Sequence, residues 1–164
     1  MSKFNELVER VINWSEGIDL YGQSTEAKQV SKAFEEFAEL IAAIDDKNEY
    51  EIKDAIGDIL VCVVNADYID SNGRSTVFEP KMEFDSQTLN LSELAQLLII
   101  RDHCGCVYSI YRLCDHLKLN PTECFEMAVE TIEKRKLLMV NGKAVKWENM
   151  TDEQRDIWRS RNEI

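Results

Sequence analysis

The stretch from Lys28 to Asn65 constrains the fold of this chain more than any other. It contains two segments with helical periodicity, separated by the short polar break at residues 45–48. The second segment is apolar almost all round from Ile56 to Ala66, which is typical of a helix that is buried on most sides. The sequence therefore predicts an all-α fold in which two antiparallel helices lie side by side.

Paired acidic residues interrupt both segments. Glu36 and Glu39 share one helical face, and so do Asp54 and Asp58, because residues three and four apart are neighbours on a helix. Asn65 continues the second stripe two turns later. An unpaired buried carboxylate is costly or takes up a proton, so a compensating charge is expected. Several carboxylates together fit Mg²⁺, which prefers octahedral coordination by oxygen.

The motif EEFAE (35–39), followed by IGDILVCVVN (56–65), resembles the MazG-like all-α nucleoside triphosphate pyrophosphohydrolases. The pattern of that family is EExxE, a spacer, ExxD and a downstream Asn. The segment VINWSEGIDLYG is similar to the opening helix and loop of the family, and IEKRKLLMVNGKAVK is similar to the C-terminal end of phage-borne members. The resemblance covers residues 7–70 and, more loosely, 121–146. Ala55 departs from the pattern, since the family has Glu there; Asp54 shares a face with Asp58 and can take its place with a shorter side chain.

The resemblance implies a bundle of four to five helices that hydrolyses (deoxy)nucleoside triphosphates to the monophosphate and pyrophosphate. It implies that Mg²⁺, or Mn²⁺, is held by four side chains, Glu36, Glu39, Asp54 and Asp58. Of these, Glu36, Glu39 and Asp58 are the expected catalytic residues, with Glu36 or Glu39 orienting or deprotonating the attacking water. Asn65 is expected to contact the sugar or a phosphate. A homodimer or homotetramer is implied as well.

Basic and aromatic residues near the acids are candidates for substrate binding. Lys32 lies one turn before the first acid pair, which fits either contact with a triphosphate or a surface ion pair. Lys134 and Arg135 belong to a basic cluster that either binds phosphate or balances the dipole at the C-terminal end of a helix. Trp14 and Tyr21 are the nearest aromatic residues for stacking on a base, although a tryptophan at this spacing also fits a core position.

Other functions explain parts of the same pattern. A solvated or internally paired helix face would account for the four acids without a metal, and the protein would then be a helical interaction module or a catalytically inactive nucleotide-binding relative. A di-iron bundle requires Glu-x-x-His, but Ile100 and Leu113 stand three residues before His103 and His116. No Ser or Cys lies in a recognisable nucleophile motif.

The composition narrows the classes of protein further. A chain of 164 residues is about one domain, here taken as 1–164, and the net charge of −12 argues against nonspecific nucleic-acid binding. No apolar run approaches the ~18–20 residues that cross a bilayer, and no signal peptide is recognised. The five cysteines fit reduced thiols in the cytoplasm, or in the host cytoplasm if the protein is viral. His103-Cys104-x-Cys106 lacks the paired spacing of a zinc site.

Apolar spacing predicts the remaining elements. Helices are expected over residues 4–16, 25–45, 49–70, 90–117 (one helix or two collinear ones, with Gly105 as a candidate kink) and from Asn120 to about Leu137. Residues 71–89 predict an irregular connection that covers the site, pairs as short strands or reaches a partner subunit. Asn141-Gly142 indicates a hairpin turn in a C-terminal tail that begins at residue 138. The segment TDEQRDIWRSRN predicts a short amphipathic helix.

Overall fold

The computed structural model describes residues 1–81 and 89–162, and within these ranges the chain is mostly helical. The regular elements of the described residues are eight α-helices, one antiparallel hairpin and one turn of 3₁₀ helix at Trp147–Asn149. In chain order they are α1 (Lys3–Gly17), α2 (Leu20–Gln23), α3 (Glu26–Asp45), α4 (Glu49–Asp70), α5 (Leu91–Ile100), α6 (His103–Leu117), α7 (Pro121–Glu133), β1 (Leu137–Val140), β2 (Lys143–Lys146) and α8 (Asp152–Asn162). The prediction of an all-α fold is confirmed.

The pair α3 and α4 follows the predicted boundaries closely because both helices begin at a good N-cap. The side chain of Thr25 accepts a hydrogen bond from the backbone of Lys28, and that of Asn48 accepts one from Glu51. Lys47 takes a left-handed conformation in the turn between the helices, with φ 53°. The chain therefore reverses within three residues and lays α4 against α3.

The centre of the fold is α4. It packs against α1, α3, α6 and α7, and its residues from 59 to 67 are all buried. The approach of α7 is closest at Gly57, where an added Cβ would overlap the carbonyl oxygen of Cys124 and lie 2.7 Å from the Cβ of Ala128. The prediction of a helix buried on most sides is confirmed, and Gly57 is the residue that permits this crossing.

Two predicted helix boundaries are wrong. The segment 90–117 breaks at Arg101, which has a φ of 59° and closes α5, while the side chain of Asp102 caps α6 through the backbone of Gly105. Gly105 therefore lies in the first turn of α6 and is not the kink. The helix predicted from Asn120 ends at Glu133 rather than near Leu137, because the following residues pair as a hairpin.

The connection after α4 is fastened by one buried carboxylate. Asp67 is 1% exposed and accepts hydrogen bonds from the backbone of Thr76 (2.6 Å) and Val77 (3.2 Å) and from the hydroxyls of Ser75 and Thr76. Residues 71–81 and 89 form neither helix nor strand, so the predicted irregular connection is confirmed in that part. The remainder of the predicted connection, residues 82–88, lies outside the described residues.

The C-terminal segment, predicted as a tail, folds back on the helices. The backbone of Met139 in β1 donates a hydrogen bond to the carbonyl of Ile18 (2.8 Å), and α8 ends with Asn162 bonded to the carbonyl of Gly17 (3.0 Å). Trp147 and Trp158 pack edge to face between the hairpin and α8. The hairpin turn and the final helix are confirmed, and both lie against the end of α1. Across the described ranges, no helix combines the length and apolarity that a membrane span requires.

The crossing of α4 and α7 gives a prediction about stability. Replacing Gly57 by Ala should destabilise the protein by about 1–3 kcal/mol, because the added methyl group overlaps backbone atoms of α7. Helix propensity alone would stabilise the variant by about 1 kcal/mol. Urea denaturation measures the difference, and Ala38→Gly at an exposed position of α3 calibrates the propensity effect. A Gly57→Ala variant more stable than the wild type would contradict the close crossing.

Candidate functional site

The packing of α3 on α4 brings one acid from each helix together. Glu36 on α3 is 6% exposed, and its Oε1 forms an ion pair with the Nζ of Lys32 at 2.9 Å. The same ammonium group contacts Glu35 at 2.9 Å. These two carboxylates raise the pKa of Lys32, so the lysine stays charged at any physiological pH. The ammonium group of Lys32 thus pairs with the almost fully buried carboxylate of Glu36.

Asp58 on α4 is an acid whose pKa is strongly shifted by its surroundings. Burial, followed by the charges of Glu36 and Asp54, raises the pKa of Asp58 to about 6, while Arg135 and Lys32 act in the opposite direction. Glu36 and Asp58 both line one cleft, so their charges lie beside a common space. A carboxylate whose pKa lies near neutrality, in a cleft and beside a specific charge, is a marker of a functional site.

The four predicted metal ligands do not converge equally. Glu36 is buried, Asp54 and Asp58 are half-buried, and Glu39 is exposed. Among the described residues, no three of these carboxylates have oxygens within 4.8 Å of one another. Lys32 partly neutralises Glu36. The donors are nevertheless all carboxylate oxygens, which suit a hard divalent cation such as Mg²⁺.

A cleft of about 340 Å³ opens beside these acids. Six of the residues predicted for the site line it: Trp14, Lys32, Glu36, Asp58, Asn65 and Arg135. Glu39, Asp54 and Lys134 are not among its lining residues, and Glu39 and Lys134 are exposed. The cleft therefore joins the acid pair to basic, amide and aromatic side chains from α1, α3 and α4 and to Arg135, which follows α7.

Asn65 is held in the cleft wall by two hydroxyl groups. It is 2% exposed, and its Oδ1 accepts hydrogen bonds from Ser15 and from Tyr21, both at 2.8 Å. Tyr21 in turn packs on Tyr68 with ring centroids 4.4 Å apart. With its carbonyl oxygen occupied, Asn65 can present its amide NH₂ as a donor to the cleft. Tyr21, expected as a stacking residue, instead fixes the orientation of this amide.

Trp14 forms an apolar part of the cleft wall. Its side chain is half-buried, and its indole Nε1 is buried without a hydrogen-bond acceptor among the described residues. A buried indole N–H normally has a partner. Stacking of Trp14 on a base stays a prediction, and so does phosphate binding by Lys134 and Arg135.

The hairpin contributes lining residues that sequence reasoning missed. Met139, Gly142 and Ala144 lie on the cleft, and the backbone of Gly142 donates a hydrogen bond to the side chain of Gln23 at 3.1 Å. Lys28 also lines the cleft and lies close to Gly142. The turn was recognisable in the sequence, but no local signal shows that it docks on α2 and closes one side of the cleft. The described residues of the 71–89 connection take no part in it.

The comparisons with known proteins are sparse. A protein of Haemophilus phage HP1 (strain HP1c1), described as an uncharacterized 18.2 kDa protein in the rep-hol intergenic region, is 34% identical over 74 residues. The match covers 43% of this chain and 45% of the phage protein, so the chain spans less than half the length of that relative. No family model matches the chain, and no solved structure matches it.

The environment of Asp58 predicts its titration. By carboxyl-carbon NMR, Asp58 should titrate with a pKa of about 6. Glu36→Gln should lower this pKa because it removes a like charge, and Arg135→Gln should raise it because it removes an opposite charge. Asp152→Asn, at an exposed position of α8, changes the net charge as Glu36→Gln does and should leave the pKa unchanged. A wild-type Asp58 that titrates at about 4, the ordinary value of an exposed Asp, would contradict the buried cluster.

The same shift makes stability depend on pH. Because the pKa of Asp58 is higher in the folded state than its ordinary value of 3.8, its ionisation opposes folding, and the unfavourable contribution grows as the pH rises from about 4 through about 6. Asp58→Asn should therefore gain stability relative to the wild type over this window, by about 1 kcal/mol after allowance for solvent screening. Urea denaturation at about pH 4 and pH 7 measures the difference.

Proposed function

We propose that this protein is a Mg²⁺-dependent nucleoside triphosphate pyrophosphohydrolase that converts (d)NTP to (d)NMP and pyrophosphate. The observation that carries the proposal is the meeting of Glu36 and Asp58 at one cleft, with the pKa of Asp58 raised to about 6. The resemblance of residues 35–39 and 56–65 to the MazG-like enzymes supports it. Three cations, Lys28, Lys32 and Arg135, line the same cleft and suit a phosphate chain.

The side chains can be given roles from their positions. Glu36 and Asp58, with Asp54 one turn before Asp58 on α4, would hold Mg²⁺ or Mn²⁺, which when bound supplies charge neutralisation and Lewis acidity. Glu36 takes the water-orienting role rather than Glu39, because Glu39 is exposed and is not among the residues that line the cleft. Lys32 and Arg135 bind phosphate oxygens.

The neutral part of the cleft suits the nucleoside. The amide of Asn65 donates to the sugar or to a phosphate, and its hydrogen bonds from Ser15 and Tyr21 hold it in position. Trp14 offers an apolar surface to the base. The substrate is thus expected to lie with its phosphates toward α3 and the end of α7, and its base toward α1.

A second candidate function is a catalytically inactive nucleotide-binding or helical interaction module. It is favoured by Ala55 at the position of a family glutamate and by the exposure of Glu39, which leaves fewer carboxylates on the cleft. Such a protein would keep Lys32, Arg135 and Trp14 as binding groups. It would bind nucleotides without turning them over.

The resemblance also motivates proposals about assembly and location. We propose a homodimer or homotetramer, for which the apolar end of α5 is a suitable surface, since Ile99 and Ile100 are 67% and 69% exposed. We further propose that the protein acts in the cytoplasm, in that of the bacterial host if it is phage-encoded like its relative. No nucleic-acid partner is proposed.

The test is an assay of the purified protein with each NTP and dNTP, with Mg²⁺ and with EDTA. Monophosphate and pyrophosphate should appear only with the metal. Asp58→Asn and Glu36→Gln should each lower kcat/KM about 100-fold or more, because each removes a charge that acts on the transition state. Arg135→Gln should mainly raise KM, about tenfold.

Matched acids on one helix serve as controls for this assay. Asp54→Ala should raise the Mg²⁺ concentration that gives half-maximal activity, because it removes a negative charge that acts on Asp58. Glu51→Ala, at an exposed position one turn earlier, should not. Nucleotide binding without turnover would favour the inactive module, and release of free phosphate instead of pyrophosphate would contradict the proposed reaction.

A further inference from the structure

A second cluster of metal-binding side chains lies away from the cleft. Glu26 at the start of α3, Asp70 at the end of α4 and His103 at the start of α6 each offer one ligand atom, and these atoms all lie within 4.8 Å of one another. Three helix ends therefore converge on one point. The cluster is separate from the acid pair, since Glu26 precedes Glu36 by about 15 Å along α3 at about 1.5 Å per residue.

The geometry of the histidine favours ligation. The side chain of His103 is 6% exposed, and its Nε2 lies 3.1 Å from Oε1 of Glu26. The other oxygen of Glu26 binds the guanidinium of Arg101 at 2.7 Å. Arg101 thus fixes the carboxylate in the orientation that turns Oε1 toward the imidazole. Hydrogen bonds of this kind orient the side chains that bind the ion in metal sites.

A simple pair of histidine and glutamate does not explain the third member. Asp70 is exposed and could extend into solvent, yet a carboxylate oxygen of Asp70 lies within 4.8 Å of the ligand atoms of both other residues. Two carboxylates and one buried imidazole leave room for a divalent cation among them, with water completing its coordination. A metal ion would explain why the carboxylate of Asp70, as well as that of Glu26, lies close to the imidazole of His103.

We propose that Glu26, Asp70 and His103 bind a borderline divalent metal ion of the Zn²⁺ class. Imidazole nitrogen with carboxylate oxygen suits Zn²⁺, Co²⁺ or Ni²⁺, whereas Mg²⁺ prefers an all-oxygen set. The ion would tie the ends of α3, α4 and α6 together. It is a structural site that does not depend on the proposed hydrolase activity.

The test is to remove bound metal from the full chain with a chelator and to titrate the chain with Zn²⁺. Calorimetry measures the binding, and thermal unfolding measures its effect on Tm. One ion should bind per chain, and a metal concentration about a hundredfold above the dissociation constant should raise Tm by about 5–10 °C. His103→Gln should raise the dissociation constant about 100-fold or more. His116→Gln is the matched control, because His116 is the other of the two histidines in the chain, and it should bind as the wild type does.

Two further measurements keep the proposal falsifiable. Asp70→Asn changes an exposed side chain, so it should fold normally and should still weaken Zn²⁺ binding. Co²⁺ replaces Zn²⁺ as a spectroscopic probe, and its spectrum should lack the intense near-ultraviolet charge-transfer band of thiolate ligation, which separates this site from the cysteines. The proposal is overturned by absence of saturable Zn²⁺ binding, by a thiolate band, or by binding that His103→Gln leaves unchanged.

Discussion

The structure depends on how two carboxylates are accommodated between packed helices. Glu36 and Asp58 line one cleft because α3 and α4 reverse direction within three residues and then pack along their length. Burial and like charge both oppose ionisation there, and the raised pKa of Asp58 is the result. Lys32 and Arg135 offset part of this cost, so the pair is tolerated in the fold, and the cleft presents carboxylates and cations side by side.

Several other elements of the chain build the walls of this cleft. α1 supplies Trp14 and Ser15, α2 supplies Tyr21, and the hairpin returns from the end of α7 to dock on the end of α1 and on α2. The hairpin and α8 hold one another through Trp147 and Trp158. The C-terminal segment is thus a structural wall of the cleft. A change there can alter the cleft without touching an acid.

Much of this was readable from the sequence because the signals are local. The continuous apolar run predicts the buried helix α4, and helical spacing with a short turn predicts that the acids of the two helices lie opposite one another. Gly105 was misjudged as a kink because the break depends on Arg101 adopting a left-handed conformation, which its residue type does not signal. Tertiary packing between distant segments determines three further features, and residue spacing does not predict them. They are the exposure of Glu39, the docking of the hairpin on Gln23 and the approach of Glu26 and Asp70 to His103.

The central claim is that Glu36 and Asp58 share one cation at the cleft. Crystals grown with Mn²⁺, a probe with anomalous scattering, test it most directly. The account predicts an anomalous peak with carboxylate oxygens of both Glu36 and Asp58 within about 2.3 Å of the ion. A cleft without a peak at saturating Mn²⁺, or a peak that touches neither carboxylate, would contradict it.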